Sequence, residues 1–91
     1  MKIIAVCGMG IGTSILLKMN ADKALEKLGL SGDVDAADIG TAKGAASSAD
    51  LVLTSEELAP ELEGISTPVR VIDNFMDVDE IAEAISSAVT E

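Results

Sequence analysis

The chain has no histidine and a single cysteine, Cys7. Without histidine there is no Ser-His-Asp triad, no Cys-His protease pair and no imidazole metal ligation, and the chain cannot itself carry phosphohistidine. One cysteine allows neither an internal disulfide nor a structural zinc site. Aromatic residues are almost as scarce, with Phe75 the only one. That scarcity argues against nucleic-acid binding by base stacking. Positive charge is in short supply too: 6 Lys and Arg stand against 16 Asp and Glu, a formal charge of −10. A chain this acidic is repelled by DNA, RNA and anionic lipid headgroups. Long apolar runs are missing as well. The stretch ahead of Cys7 is only Ile3–Val6, and glycines interrupt the residues after it. That is too short for a secretory core or a membrane span. A lipoprotein cleavage site would want a small residue where Val6 stands. The expected location is therefore the cytoplasm, where thiols stay reduced, with no direct membrane insertion.

What is present is aliphatic. Hydrophobic residues make up 48% of 91 residues, so one core of Ala, Val, Ile, Leu and Met is expected, with residues 1–91 forming a single domain. Lys2–Val6 reads as a short buried strand and Cys7–Thr13 as a glycine-rich loop. A helix is expected from about Ser14 to Leu28, with Leu17, Ala21, Ala24, Leu25 and Leu28 on its apolar face. Thr13 or Ser14 can cap its start and Gly29 can end it. Val34–Ile39 is a weaker strand, polar enough for a sheet edge, and Gly40–Ser48 a poor helix. Leu51–Thr54 is a second clear buried strand. Ser55–Leu62 can hold a helical turn or two, with Glu56 and Glu57 near its N-terminus. Val69–Ile72 is the last strand and Asp73–Met76 a turn. Asp77 caps a final helix, with Glu80 completing a capping box. Ile81, Ala84, Ile85, Ala88 and Val89 form its buried face.

The alternation βαβαβαβα specifies an α/β fold: a four-stranded parallel sheet, expected in strand order 2-1-3-4, as a doubly wound open sandwich. Ligands of such sheets bind at the carboxyl ends of the strands. Cys7 and its glycines fall at the carboxyl end of the first strand.

The informative segment is Val6-Cys7-Gly8-Met9-Gly10-Ile11-Gly12-Thr13-Ser14. A nucleophile ends a buried strand, glycine alternates through the next turn, and hydroxyl residues open a helix. Glycine leaves backbone N–H groups free to turn inward as an anion-binding nest. The helix start supplies further N–H groups and partial positive charge. The same field lowers the pKa of a nearby thiol, so one arrangement activates Cys7 and stabilises a phosphoryl group received there. Each feature alone has a plainer explanation: a free cysteine is often a small buried hydrophobe, and a glycine-rich turn can serve packing alone. Their coincidence favours the functional reading.

Rival motifs fail residue by residue. Gly12 is followed by Thr13 and no lysine, so there is no Walker A loop. Gly8, Gly10 and Gly12 give GxGxG, with Thr13 where a dinucleotide fingerprint wants its last glycine. A thioredoxin-like site lacks its second cysteine. A Cys-x5-Arg phosphatase loop needs an arginine where Thr13 stands, and the one arginine, Arg70, lies in another strand. Without it hydrolysis should be slow, and the loop would hold a phosphoryl group for delivery elsewhere.

The run from Ile4 through Ser14, continuing through Ile15-Leu16-Leu17-Lys18-Met19-Asn20, resembles the cytoplasmic B component (enzyme IIB) of the sugar phosphotransferase system. It looks most like the ascorbate-type branch, with the lactose/cellobiose and galactitol branches sharing the general loop. Val71-Ile72-Asp73-Asn74-Phe75-Met76 looks like that branch too, and the resemblance spans essentially the whole domain. It implies that a IIA component bearing phosphohistidine donates to Cys7, and that Gly8, Met9, Gly10, Ile11, Gly12, Thr13 and Ser14 form the phosphate-binding loop. The group then passes to a sugar bound in a membrane IIC component. No cofactor or metal is implied. A cysteine-type phosphatase and a binding module with an inert Cys7 stay open as alternatives.

Other residues are weaker candidates. Lys18 could reach the phosphate or be a solvated surface charge. Thr54 and Ser55 could donate hydrogen bonds to the loop or cap the following helix. Asn74 reads as a turn residue and Arg70 as a surface charge or ion pair. Met9 and Ile11 suit either partner docking or ordinary packing.

Overall fold

The computed structural model describes residues 1–6 and 11–89, with side chains of the second stretch described from residue 15 onward. The chain runs through β1 (Lys2–Val6), α1 (Ile11–Leu28), β2 (Asp33–Ala37), α2 (Ile39–Ala45), a 3₁₀ turn (Ala46–Ser48), β3 (Leu51–Thr54), a second 3₁₀ turn (Ala59–Leu62), β4 (Val69–Val71) and α3 (Val78–Val89). The strands form one sheet in the order β2-β1-β3-β4, and every pairing is parallel. This is the expected doubly wound sandwich.

The two aliphatic runs take the two central places. Ile3 pairs with Leu51 and Ala5 with Leu53, and all four side chains are fully buried. Alternation along the strands builds two separate cores. Ile3, Ala5, Leu51 and Leu53 face α1 and α3, meeting Leu17, Ala21, Ala24, Leu25, Ile81 and Ile85. Ile4, Val6 and Val52 face the other way, onto Ala42, Ala46, Leu58 and Leu62. Each fully buried Ile or Leu contributes about 1.5–3 kcal/mol over its exposed state. Small residues at 42 and 46 let the short α2 layer approach the sheet closely. The polar strand β2 and the short β4 are the edges, as the composition of β2 suggested.

Several boundaries differ from the sequence reading, each for a local reason. α1 begins at Ile11 and not at Ser14, so Ile11, Gly12 and Thr13 are helical, and neither Thr13 nor Ser14 is its cap. Gly12 costs the helix about 1 kcal/mol relative to Ala, which the buried stripe from Leu17 onward offsets. β2 ends at Ala37. Asp38 leaves the strand to cap α2, its Oδ1 accepting from the Thr41 N–H at 2.7 Å, and Ile39 becomes the first helical residue. Glu56 and Glu57 lie in a turn ahead of the second 3₁₀ segment, outside any helix. β4 stops at Val71, although the Ile72 N–H still donates to the Thr54 carbonyl at 2.8 Å. Leu28 and Val89, expected in the core, are 36% and 42% exposed because both stand at the last turns of their helices, past the sheet.

The α1 C-terminus is as expected. Gly29 takes φ +72, and the Gly29 and Leu30 N–H groups return to the Glu26 and Leu25 carbonyls at 3.1 and 3.0 Å, a Schellman closure. At α3 the capping box is only half made. Asp77 Oδ1 accepts from the Glu80 N–H at 3.1 Å. The Glu80 carboxylate, however, reaches past Asp77 to the N–H groups of Asp73 and Asn74, at 2.7 and 3.0 Å. The Asp77 N–H is already taken by the Asn74 carbonyl at 3.0 Å.

Candidate active site

The carboxyl edge of the sheet is assembled from the ends of four strands: Val6, Ala37, Thr54 and Val71. The chain leaves central strand β1 at Val6 and is described again at Ile11, the first residue of α1. The predicted nucleophile Cys7, with Gly8, Met9 and Gly10, lies outside the described residues. Of the expected phosphate-binding residues, Ile11, Gly12, Thr13 and Ser14 are described as backbone only, in the first turn of α1. That turn carries no acidic residue, and the first carboxylate of the whole chain is Asp22. The unpaired N–H groups of such a helix start attract anions, and nothing acidic in the first turn competes for them.

The surrounding charges are committed elsewhere. Arg70 donates from Nε to Ser87 Oγ and from Nη1 to the Val69 carbonyl, both at 3.2 Å. Ser87 lies near the C-terminus of α3, whose N-terminus follows β4 at the carboxyl edge. The guanidinium is thereby held toward the opposite end of the sheet. Lys18 pairs with Asp22 one turn further along α1, at 3.2 Å. It lines an open depression with Lys2, Asp33 and Asp35, which supports the surface reading of this lysine. Asp38 stands at the carboxyl end of β2. The backbone N–H of Thr41, then its hydroxyl and then the Gly40 N–H hold the Asp38 carboxyl below its ordinary value, partly opposed by desolvation. Among the described residues no group of three or more His, Cys, Asp or Glu is placed to hold a metal ion.

Asn74 is a turn residue, as expected: its Oδ1 accepts from the Met76 N–H at 3.0 Å. Thr54 is fully buried, and its Oγ1 has no hydrogen-bond partner among the described residues. Ser55 acts through its carbonyl, which accepts from Leu58 and Ala59 N–H at 3.2 and 3.1 Å. No side chain caps the following 3₁₀ segment, so capping does not explain this pair.

Sequence reasoning missed Asn20. It is 6% exposed, and its Nδ2 donates to the Phe75 carbonyl at 2.5 Å, tying α1 to the turn after β4. The signal was available: Asn20 falls three residues after Leu17 and four before Ala24, on the buried stripe of the helix.

Fold and edge together define a doubly wound α/β protein with a cysteine following its central strand and an acid-free helix start beyond it. Residues 2–87 match the family described as "PTS system, Lactose/Cellobiose specific IIB subunit", and the chain belongs to that IIB family of the sugar phosphotransferase system. It is 37% identical over 87 residues to the ascorbate-specific PTS system EIIB component of Mycoplasma pneumoniae, covering 94% of this chain and 92% of that protein. A protein of the same description from Shigella flexneri is 34% identical over 61 residues, covering 67% of this chain and 60% of the other. Among solved structures, the lactose-specific IIB domain from Streptococcus pneumoniae superposes with a TM-score of 0.61 over 99% of this chain and 91% of that one. At 16% identity that likeness speaks for the fold alone. No helix among the described residues is long and apolar enough to cross a membrane.

Proposed function

We propose that this chain is the phosphocysteine carrier of its transport system, working in the cytoplasm between a phosphohistidine-bearing IIA component and a sugar held in a membrane IIC component. The observation that carries the reading is the placement of the one cysteine directly after buried strand β1 and just ahead of an acid-free helix start. Gly8, Met9, Gly10, Ile11, Gly12, Thr13 and Ser14 are assigned as the loop that binds the phosphoryl oxygens through backbone N–H groups. The Cys7 thiolate attacks the phosphorus of a donor phosphohistidine that is protonated on its other ring nitrogen; the S–P bond forms as the N–P bond breaks, and the electron pair leaves on a neutral imidazole that keeps that proton. In the second step a hydroxyl oxygen of the sugar attacks, the S–P bond breaks and the thiolate returns. The hydroxyl proton passes to a base at the sugar site of the partner. Both steps ask this chain mainly for positioning and charge stabilisation.

An ascorbate-like acceptor is the favoured substrate class, because relatives named for ascorbate match over most of the chain. Hydrolysis in place of transfer is disfavoured by the position of Arg70, which is bonded to Ser87 and to the Val69 carbonyl, away from the carboxyl edge of the sheet. The test is incubation with a phosphorylated donor followed by mass spectrometry. One phosphoryl group is expected on the wild type and none on Cys7→Ser. Label on another residue would remove the proposal, and rapid partner-free turnover of an aryl phosphate would replace it with a phosphatase.

A further inference from the structure

We infer that the Thr54 hydroxyl is a hydrogen-bond donor reserved for a phosphoryl oxygen at the carboxyl end of β1. Three polar residues are buried among the described ones, Asn20, Thr54 and Thr67. Two are satisfied: Asn20 donates to the Phe75 carbonyl and Thr67 to the Ala46 carbonyl. Thr54 is 0% exposed, and its Oγ1 alone has no partner among the described residues. Leaving a buried hydroxyl unpaired costs about 1–3 kcal/mol, and a valine of the same shape would avoid that cost. Such a group calls for an occupant that is not always present.

The position says which. Leu53 pairs with Ala5, so Thr54 stands level with Val6, the residue before Cys7. Parallel neighbours lie about 4.8 Å apart and successive α-carbons about 3.8 Å. The Thr54 hydroxyl therefore belongs to the strand end that neighbours the end of β1, the strand that Cys7 follows in sequence. The Thr54 carbonyl is occupied by the Ile72 N–H, which leaves the hydroxyl as the free group. A phosphoryl group offers three acceptor oxygens and no donor at neutral pH, so a lone O–H is complementary to it. This inference rests on the carrier reading and adds a side chain to a site otherwise made of backbone amides.

Thr54→Val and Thr54→Ser in the full chain test it, with Thr67→Val as the partnered control. Without ligand, Thr54→Val should unfold at or above the wild-type midpoint, whereas Thr67→Val should fall by several degrees. Millimolar inorganic phosphate should raise the midpoint of wild type and Thr54→Ser but not of Thr54→Val. Phosphorylated Thr54→Val should lose its phosphoryl group to water about tenfold faster than wild type, with Thr54→Ser restoring most of the difference. Equal phosphate protection in all three proteins overturns the inference, as does no protection of the wild type or a Thr54→Val chain clearly less stable than wild type. Failure of the carrier reading would look different: label away from Cys7 while phosphate protection still depends on Thr54.

Discussion

The two long helices of the α1–α3 layer begin in opposite ways. α3 is closed by its own chain: Asp77 caps it, and Asp79 and Glu80 occupy its first turn. Glu80 also secures the preceding turn through the Asp73 and Asn74 N–H groups. α1 opens with no carboxylate at all in its first turn, in a chain with 16 of them. Both helices bury comparable apolar stripes against the same sheet face, so packing does not require the difference. A helix meant only to be stable is capped from within. One whose amides are to meet an outside anion must be left uncapped by acids, and its stability then has to come from the buried face further along.

The largest expected effect comes from erasing that contrast. Thr13→Glu puts a carboxylate in the first turn of α1 and should stabilise the helix by about 0.3–1 kcal/mol. It should also cut phosphoryl acceptance by Cys7 tenfold or more, read as initial rate from a phosphorylated donor; undiminished transfer would mean the acid-free start has no part in the chemistry. Next, Asn20→Ala leaves the half-buried Phe75 carbonyl without its donor and should cost about 1 kcal/mol of stability in denaturant titration. Its effect on transfer should exceed that of an equally destabilising change on α3, since Asn20 ties α1 to the neighbouring turn. Asp77→Ala removes the α3 cap and should cost about 1 kcal/mol, with the transfer rate unchanged because that helix end serves structure only. The smallest effect concerns acid. The Asp38 carboxyl is held low in the folded state by the Thr41 N–H, the Thr41 hydroxyl and the Gly40 N–H. Its contribution is therefore complete above the unfolded carboxyl pKa, about 3.9, and is lost as pH falls through the lower folded value. Asp38→Ala should flatten the acid limb of a stability–pH curve and leave its slope above about pH 5 alone.

Much of this fold is legible in the sequence. β1 and β3 fall where the aliphatic runs KIIAV and LVLT put them, because strands buried on both faces have no polar alternation to blur their ends. The order 2-1-3-4 and the polar edge strand β2 follow the same logic. The boundaries that moved are places where tertiary contacts outweigh local preference. Gly12 argues against helix on its own, yet α1 extends back to Ile11. Ile39 looks like strand, yet Asp38 captures it for α2. Leu28 and Val89 have the right helical phase for burial, but phase does not reveal how far the sheet extends beneath a helix. At the site, the central position of β1, the strand that Cys7 follows in sequence, was legible. That the Thr54 hydroxyl is buried without a partner among the described residues was not, since burial and satisfaction depend on neighbours distant in the chain.

The flanks of the sheet carry a last consequence. β2 presents exposed Asp33 and Asp35 along one margin, and β4 offers only three residues, with Arg70 in the middle, along the other. Neither margin invites another copy to add a strand, because charge and brevity both penalise such growth. On the carrier reading proposed above, the chain can meet and release its partners repeatedly without polymerising through its aliphatic strands.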